Sequence, residues 1–296
     1  MAAVSSPQVL APAQGAGVPA APGRRPRPSL RSVFLAVAAV AWLVPLVWMV
    51  SMALTPNDVL QRERVGLVPH GFTLSNFAAV FTTGNMPRWF LNSAIVTIVA
   101  TVLTVICCSM AGYAFATIRF TGRRLLFALV LAGLMVPKEA LFIPLFLMFS
   151  DANQQNTYQA LLLPRIAFPL GVFIMTQFFS RVPHELEEAA TIDGAGRWRV
   201  FWSIMLPLVR PAMTSLAIFT FVLTWNDYLW PLVIATEREM FTVTEGLASL
   251  QSNFAGATEI GSLMARGLVG SLPLIVLFLL FQRHLIRGIT LSSGDK

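Results

Sequence analysis

Two stretches of this 296-residue chain, residues 32–57 and 89–118, contain no Asp, Glu, Lys or Arg. Each exceeds the roughly 20 residues that a helix needs to cross hydrocarbon. A backbone in lipid must satisfy its own hydrogen bonds, so runs of this kind are expected to be membrane-spanning helices. Four more apolar segments, residues 125–149, 160–179, 208–234 and 263–281, are broken only by isolated charges or prolines. The expectation is an all-α, multi-pass membrane protein with six spans. Only 12% of the residues are charged, against about 25% in soluble domains.

Basic residues orient the spans, because loops on the cytoplasmic side hold the excess of Lys and Arg. With both termini inside, fourteen of the 21 basic residues fall on the inner side, among them Arg119, Arg123, Arg124, Arg181, Arg197, Arg199 and Arg210. Five, Arg62, Arg64, Arg88, Arg238 and Arg266, fall outside, and Lys138 and Arg165 lie within spans. This bias and the scarcity of acids account for the net charge of +7 without a nucleic-acid partner. Residues 1–28, rich in Ala, Pro and Gly, read as a disordered cytoplasmic tail, leaving 29–296 as the membrane domain. The apolar run that follows the tail is too long for a signal-peptide core, so an uncleaved first span is expected. Cys107 and Cys108 are adjacent within one span and have no other cysteine to pair with, which makes them small core residues.

The most informative polar interval is residues 181–207, which the positive-inside count places in the cytoplasm. Pro183 can open a helix, and Glu185, Glu187 and Glu188 in its first turns complement the positive end of the macrodipole. Ala189 and Ala190 let another surface approach closely, and Gly194 supplies a sharp break. A second amphipathic segment with Trp198, Phe201 and Trp202 runs to Pro207. Helix, turn and helix together make a plug for a groove on another protein. The plainer reading is a connector with interfacial helices.

Catalytic machinery is scarce. Lys138 and Lys296 are the only lysines and neither follows the required glycine, so the chain contains no G-x-x-x-x-G-K-[ST] phosphate loop. His70, His184 and His284 are scattered, and no His, Cys and carboxylate set has metal-ligand spacing. The chain is therefore not expected to be an enzyme, to hold a metal or to carry a cofactor of its own. Ionisable groups within spans mark a pathway or a pair. Lys138 and Glu139 follow Pro137, Arg165 sits between Pro164 and Pro169, and Asn226 and Asp227 occur in TWNDYLWPL. They outline a bent, polar translocation path, or else they pair to hold the helices together. Trp225, Tyr228 and Trp230 can stack on a sugar face or form an aromatic belt.

The 188–207 interval resembles the EAA loop of binding-protein-dependent ABC importer permeases. Glu188-Ala189-Ala190 is followed after three residues by Gly194, and after nine more by Ile204, Leu206 and Pro207, the family's spacing. Over residues 30 to 296 the chain further resembles the carbohydrate branch, the maltose-type second permease and its glycerol-phosphate relatives. That likeness is carried by the 92–124 segment, VPKEALFIPLF, WNDYLWPL and the closing FQRHLIRGITLSSGDK. Lys138-Glu139 and the SSGDK ending depart from the branch's usual pattern. The resemblance implies a type I importer permease whose cytoplasmic coupling helix, with Glu188, Ala189, Ala190, Asp193, Gly194, Ile204, Leu206 and Pro207, docks on an ATPase. It implies a second permease, two ATPase subunits that hold ATP and Mg, an extracytoplasmic solute-binding protein, and a bacterial inner membrane with its lipid. The solute implied is a sugar or sugar-like molecule. Two alternatives are an ion-coupled secondary carrier using Glu139, Asp227 and Arg165, and an importer for a non-sugar solute. A carrier is expected to show an inverted internal repeat, and none is evident.

Overall fold

A computed structural model describes residues 30–62, 67–252 and 259–292. The tail 1–28, Arg64 and Lys296 lie outside the described residues. Among those described, every regular element is helical. Helix α1 (Leu30–Leu54) contains Pro45, which deprives one carbonyl of its donor and marks the boundary between two units, 1–44 and 45–296. The first unit is helical from residue 30. The second contains everything that follows.

Two short helices, α2 (Asn57–Arg62) and α3 (Ser75–Thr82), precede α4 (Met86–Thr117), a single unbroken rod of 32 residues. The sequence predicted an apolar run here but could not show which side of it is buried. The buried face repeats every three or four residues through Ser93, Val96, Thr97, Ala100, Thr104, Cys108, Gly112 and Ala116. Small residues dominate it, which is how membrane helices approach without a hydrophobic driving force. A Cβ on Gly112 would lie 2.6 Å from the Met175 Cβ, and one on Gly171 would lie 2.7 Å from the Cys108 Sγ. Cys108 is therefore core, as expected, whereas Cys107 is exposed on the opposite side.

Three later segments are bent. Helix α5 (Arg123–Ala132), continued by a 3-10 turn to Met135, meets the 3-10 turn Lys138–Leu141 and α6 (Phe142–Asp151) at 95°. Helices α7 (Tyr158–Ile166) and α8 (Pro169–Phe179) meet at 44°. Next come α9 (His184–Ile192), α10 (Arg197–Val200), a π-turn (Phe201–Met205), α11 (Leu206–Leu208) and α12 (Arg210–Trp225), with a 78° bend between α11 and α12. Helices α13 (Leu229–Ile234), α14 (Val243–Ser252) and α15 (Ile260–Ser292) complete the chain. Three helices are long and apolar enough to cross a membrane; the number rises to six if each bent pair is one span. The bend of the fifth segment lies between Leu208 and Arg210, at the start of the expected 208–234 span.

At α7 and α8, around the 44° bend, prolines free backbone carbonyls that neighbouring side chains satisfy. Pro164 cannot donate to the Ala160 carbonyl, which instead accepts from Trp230 Nε1 at 2.9 Å. Pro169 cannot donate to the Arg165 carbonyl, which accepts from Thr104 Oγ1 at 3.4 Å. Trp225 Nε1 donates to the Gly270 carbonyl at 3.0 Å, three residues before Pro273 in α15. The sugar-stacking and aromatic-belt readings thus do not describe Trp225 and Trp230, which are only 3% exposed. Tyr228 is the exposed member of the trio.

Buried polar side chains, which apolar patterning cannot reveal, pin the connecting segments. Asn92 donates to the carbonyls of Glu239 (2.7 Å) and Phe241 (2.9 Å) and accepts from Tyr158 Oη (2.7 Å). Asn76 donates to the carbonyls of Ala53 and Thr55. Arg266 donates to the carbonyls of Ala79 and Thr83, at the negative end of α3. Thr242 and Glu245 stand in capping-box register at the start of α14. Burial pushes the Glu245 carboxyl up to about 8, against the opposing pull of the Thr242 backbone N–H.

Candidate functional site

Helix α9 and the segment after it take the predicted helix-turn-helix form, and the spacing of the EAA-like residues has a geometric cause. The Ala195 N–H donates to the Ala190 carbonyl at 2.9 Å, and the Gly194 N–H donates to the Thr191 carbonyl at 3.0 Å. These two bonds are a Schellman motif, which requires the residue just past the helix to be left-handed. Gly194 has φ +79°. The three residues between Ala190 and Gly194 are therefore the interval that this cap dictates. Asp193 is the helix's last half-turn, and Ala195 packs beside Ala190 in the core that the motif closes.

Helix α9 has two faces. Ala190 is buried and Glu187 half-buried, whereas Glu185, Leu186, Glu188, Ala189 and Ile192 are exposed. Ile192 is 85% exposed. The outward face thus combines carboxylates, a small residue and two aliphatic side chains. Pro183 stands one position ahead of the first helical residue, His184. Beyond Gly194 the expected second helix is α10 running into the π-turn, where the Leu206 N–H reaches the Phe201 carbonyl. Pro207 follows directly and has no N–H of its own to place. It does not end the segment as the sequence reading supposed: it sits in the opening turn of α11, and the chain changes direction at Val209. Ile204 and Leu206 pack against the same core as Ala190.

That core joins the hairpin to the spanning helices. Tyr113 of α4 meets the rings of Phe179 (5.7 Å between centroids) and Phe201 (5.2 Å). Its hydroxyl donates to Glu187 Oε1 at 3.0 Å. Tyr113 went unnoticed in the sequence because it stands in an apolar run, and its partner lies 74 residues away. Beside it Met110, Ala114, Ile118, Arg197, Trp198 and Phe201 line an open apolar slot of about 280 Å³.

The intramembrane polar residues divide into two groups. Arg165 Nη2 lies 2.7 Å from Asp227 Oδ2, with the two side chains 11% and 18% exposed. This is the pairing considered from sequence, and it joins the bend between α7 and α8 to the break between α12 and α13. Arg165 Nε also donates to the Leu161 carbonyl at 3.0 Å. Lys138 and Glu139 are exposed at the 95° bend, and Asn226, also exposed, donates back to the Val222 carbonyl. Among the described residues, no group of three or more His, Cys, Asp or Glu could hold a metal ion.

Residues 105–291 match the family described as binding-protein-dependent transport system inner membrane component. The arabinooligosaccharides transport system permease protein AraQ of Halalkalibacterium halodurans is 37% identical over 89% of this chain and 95% of its own. The trehalose/maltose transport system permease protein MalG of Thermococcus litoralis is 34% identical over 86% of this chain and 92% of its own. The fold matches the crystal structure of a bacterial ABC transporter involved in alginate import, with TM-score 0.75 and 22% identity over 86% of this chain and 94% of that one. A family match covering most of the chain and relatives aligned nearly end to end leave one assignment: this chain belongs to the binding-protein-dependent transport system inner membrane components and is an ABC importer permease subunit.

Proposed function

We propose that the chain is one half of the translocation pore of an ATP-driven importer for an oligosaccharide or related sugar. The observation that carries this reading is the capped α9 hairpin, whose outward face of Glu185, Glu188, Ala189 and Ile192 has no partner chemistry within its own hairpin core. A second related permease completes the pore, and two ATPase subunits holding ATP and Mg bind the α9 face. An extracytoplasmic binding protein delivers the solute. Relatives named for arabinooligosaccharides, diacetylchitobiose, lactose and trehalose/maltose support a sugar. Exposed Lys138, Glu139 and Asn226 border the path, with the Arg165–Asp227 pair behind them. The complete complex in proteoliposomes should take up a labelled oligosaccharide only with ATP and binding protein present. Uptake driven by an ion gradient without ATP would point to a secondary carrier, and uptake confined to glycerol phosphate would overturn the sugar assignment.

The proposed topology has six crossings, the fifth beginning at the bend between Leu208 and Arg210, both termini in the cytoplasm, and residues 181–207 inside. The basic residues support it: Arg181, Arg197, Arg199 and Arg210 flank the hairpin. Cysteines introduced as Gln61→Cys and Arg199→Cys, in a background with Cys107 and Cys108 replaced, should respond oppositely to an impermeant thiol reagent on intact cells. Position 61 should label and position 199 should not. The reverse pattern would overturn the orientation and leave α9 out of reach of any ATPase.

A further inference from the structure

We infer that Tyr113 is a positioning residue for coupling, and that its hydrogen bond to Glu187 sets the rotational register of α9 against α4. The inference rests on the proposal that α9 docks on an ATPase. Helix α9 has nine residues and turns one narrow face to the protein, where Ala190 is its buried side chain. Alanine contact is short and non-directional, so apolar packing holds the helix close without fixing its rotation. The 3.0 Å bond from the Tyr113 hydroxyl to Glu187 Oε1 is directional and charge-assisted. It lies three residues from Ala190 on the same side of the helix, so the two contacts define the face.

Tyr113 is itself held firmly. It is 5% exposed, and Phe179 of α8 and Phe201 of the π-turn bracket its ring. The hydroxyl therefore projects from a fixed ring on an unbroken helix. A turn of α9 about its axis must either break the bond or carry α4 with it. The neighbouring carboxylates Glu185 and Glu188 point outward and cannot substitute.

The test uses the whole complex in proteoliposomes and measures uptake and ATP hydrolysis together. Tyr113→Phe keeps the ring and deletes the hydroxyl. Uptake per ATP should fall about tenfold, the factor expected from losing a hydrogen bond to a charged group, while hydrolysis stays within about twofold. Glu187→Ala should behave the same way, and the double variant should be no worse than either single one. Glu187→Gln, which retains an acceptor oxygen, should restore most of the ratio. Tyr113→Phe with unchanged uptake per ATP, even if thermal stability drops, would show a structural contact only and overturn the inference. Additive losses in the double variant would overturn it too. If the wild-type complex shows no ATP-driven uptake, the importer reading fails, and this inference fails with it.

Discussion

Gly194→Val abolishes transport while leaving the subunit in the membrane: this is the expected result of forcing a β-branched residue to φ +79°. The space around the position is open, since a Cβ there would meet nothing within 4 Å. The whole penalty is therefore backbone strain, roughly 1–3 kcal/mol for a non-glycine residue in the left-handed region. That is large relative to what holds α9. A helix of nine residues is marginal on its own, and the strained residue donates one of the two bonds that close its end. The chain should relieve the strain by unwinding the Asp193–Ala195 turn, which moves Ala190 out of the core and rotates the outward face. Gly196 supplies the control. It is equally open but has φ −68° and ψ 157°, a conformation any residue adopts, so Gly196→Ala should transport normally. Uptake assays with membrane-fraction blots distinguish the two. Normal uptake by Gly194→Val would remove α9 from the coupling route.

The second large effect is expected at the Arg165–Asp227 pair. Asp227→Ala strands a guanidinium that is 11% exposed, and breaking a buried pair from one side costs about 3–5 kcal/mol. The complex should lose thermal stability and uptake together. Replacing both partners, Arg165→Met with Asp227→Leu, leaves no buried charge behind and should recover most of the stability. We expect uptake to return with it, because the other bonds at the α7–α8 bend, Trp230 to Ala160 and Thr104 to Arg165, remain. Stability without uptake in the double variant would instead mean that these groups touch the solute. A stable single variant would refute the burial argument altogether.

How far the sequence went depends on the range of the signal. Span-length apolar runs and the EAA-like spacing are local, and both correspond to features of the structure. The Gly194 cap was legible because a left-handed residue leaves a residue-type signature at a fixed offset from its helix. The Arg165–Asp227 contact was legible only as one of several pairings, since four ionisable residues in spans do not announce their partners. Trp225 and Trp230 were misread because an indole in an apolar segment looks the same whether it faces solute, lipid or a backbone carbonyl of a neighbouring helix. The orphaned acceptors follow from Pro164 and Pro169, but the donors stand on other helices. Asn92 and Tyr113 were passed over for the same reason, being single polar groups in a long apolar run whose partners lie 66 to 149 residues away.

Three segments of the chain bend, and α4 beside them does not. Between Asn92, which grips the backbone at Glu239 and Phe241, and Tyr113, which grips α9, helix α4 contains no proline and no break. At 1.5 Å per residue the two grips are about 30 Å apart, the thickness of the hydrocarbon core. An intact helix has no joint at which displacement can be lost. On the topology proposed above, the two surfaces of the bilayer are joined through this single strut, so that arrival of a loaded binding protein on one side would be felt at the hairpin on the other as directly as the hairpin's motion is felt in return.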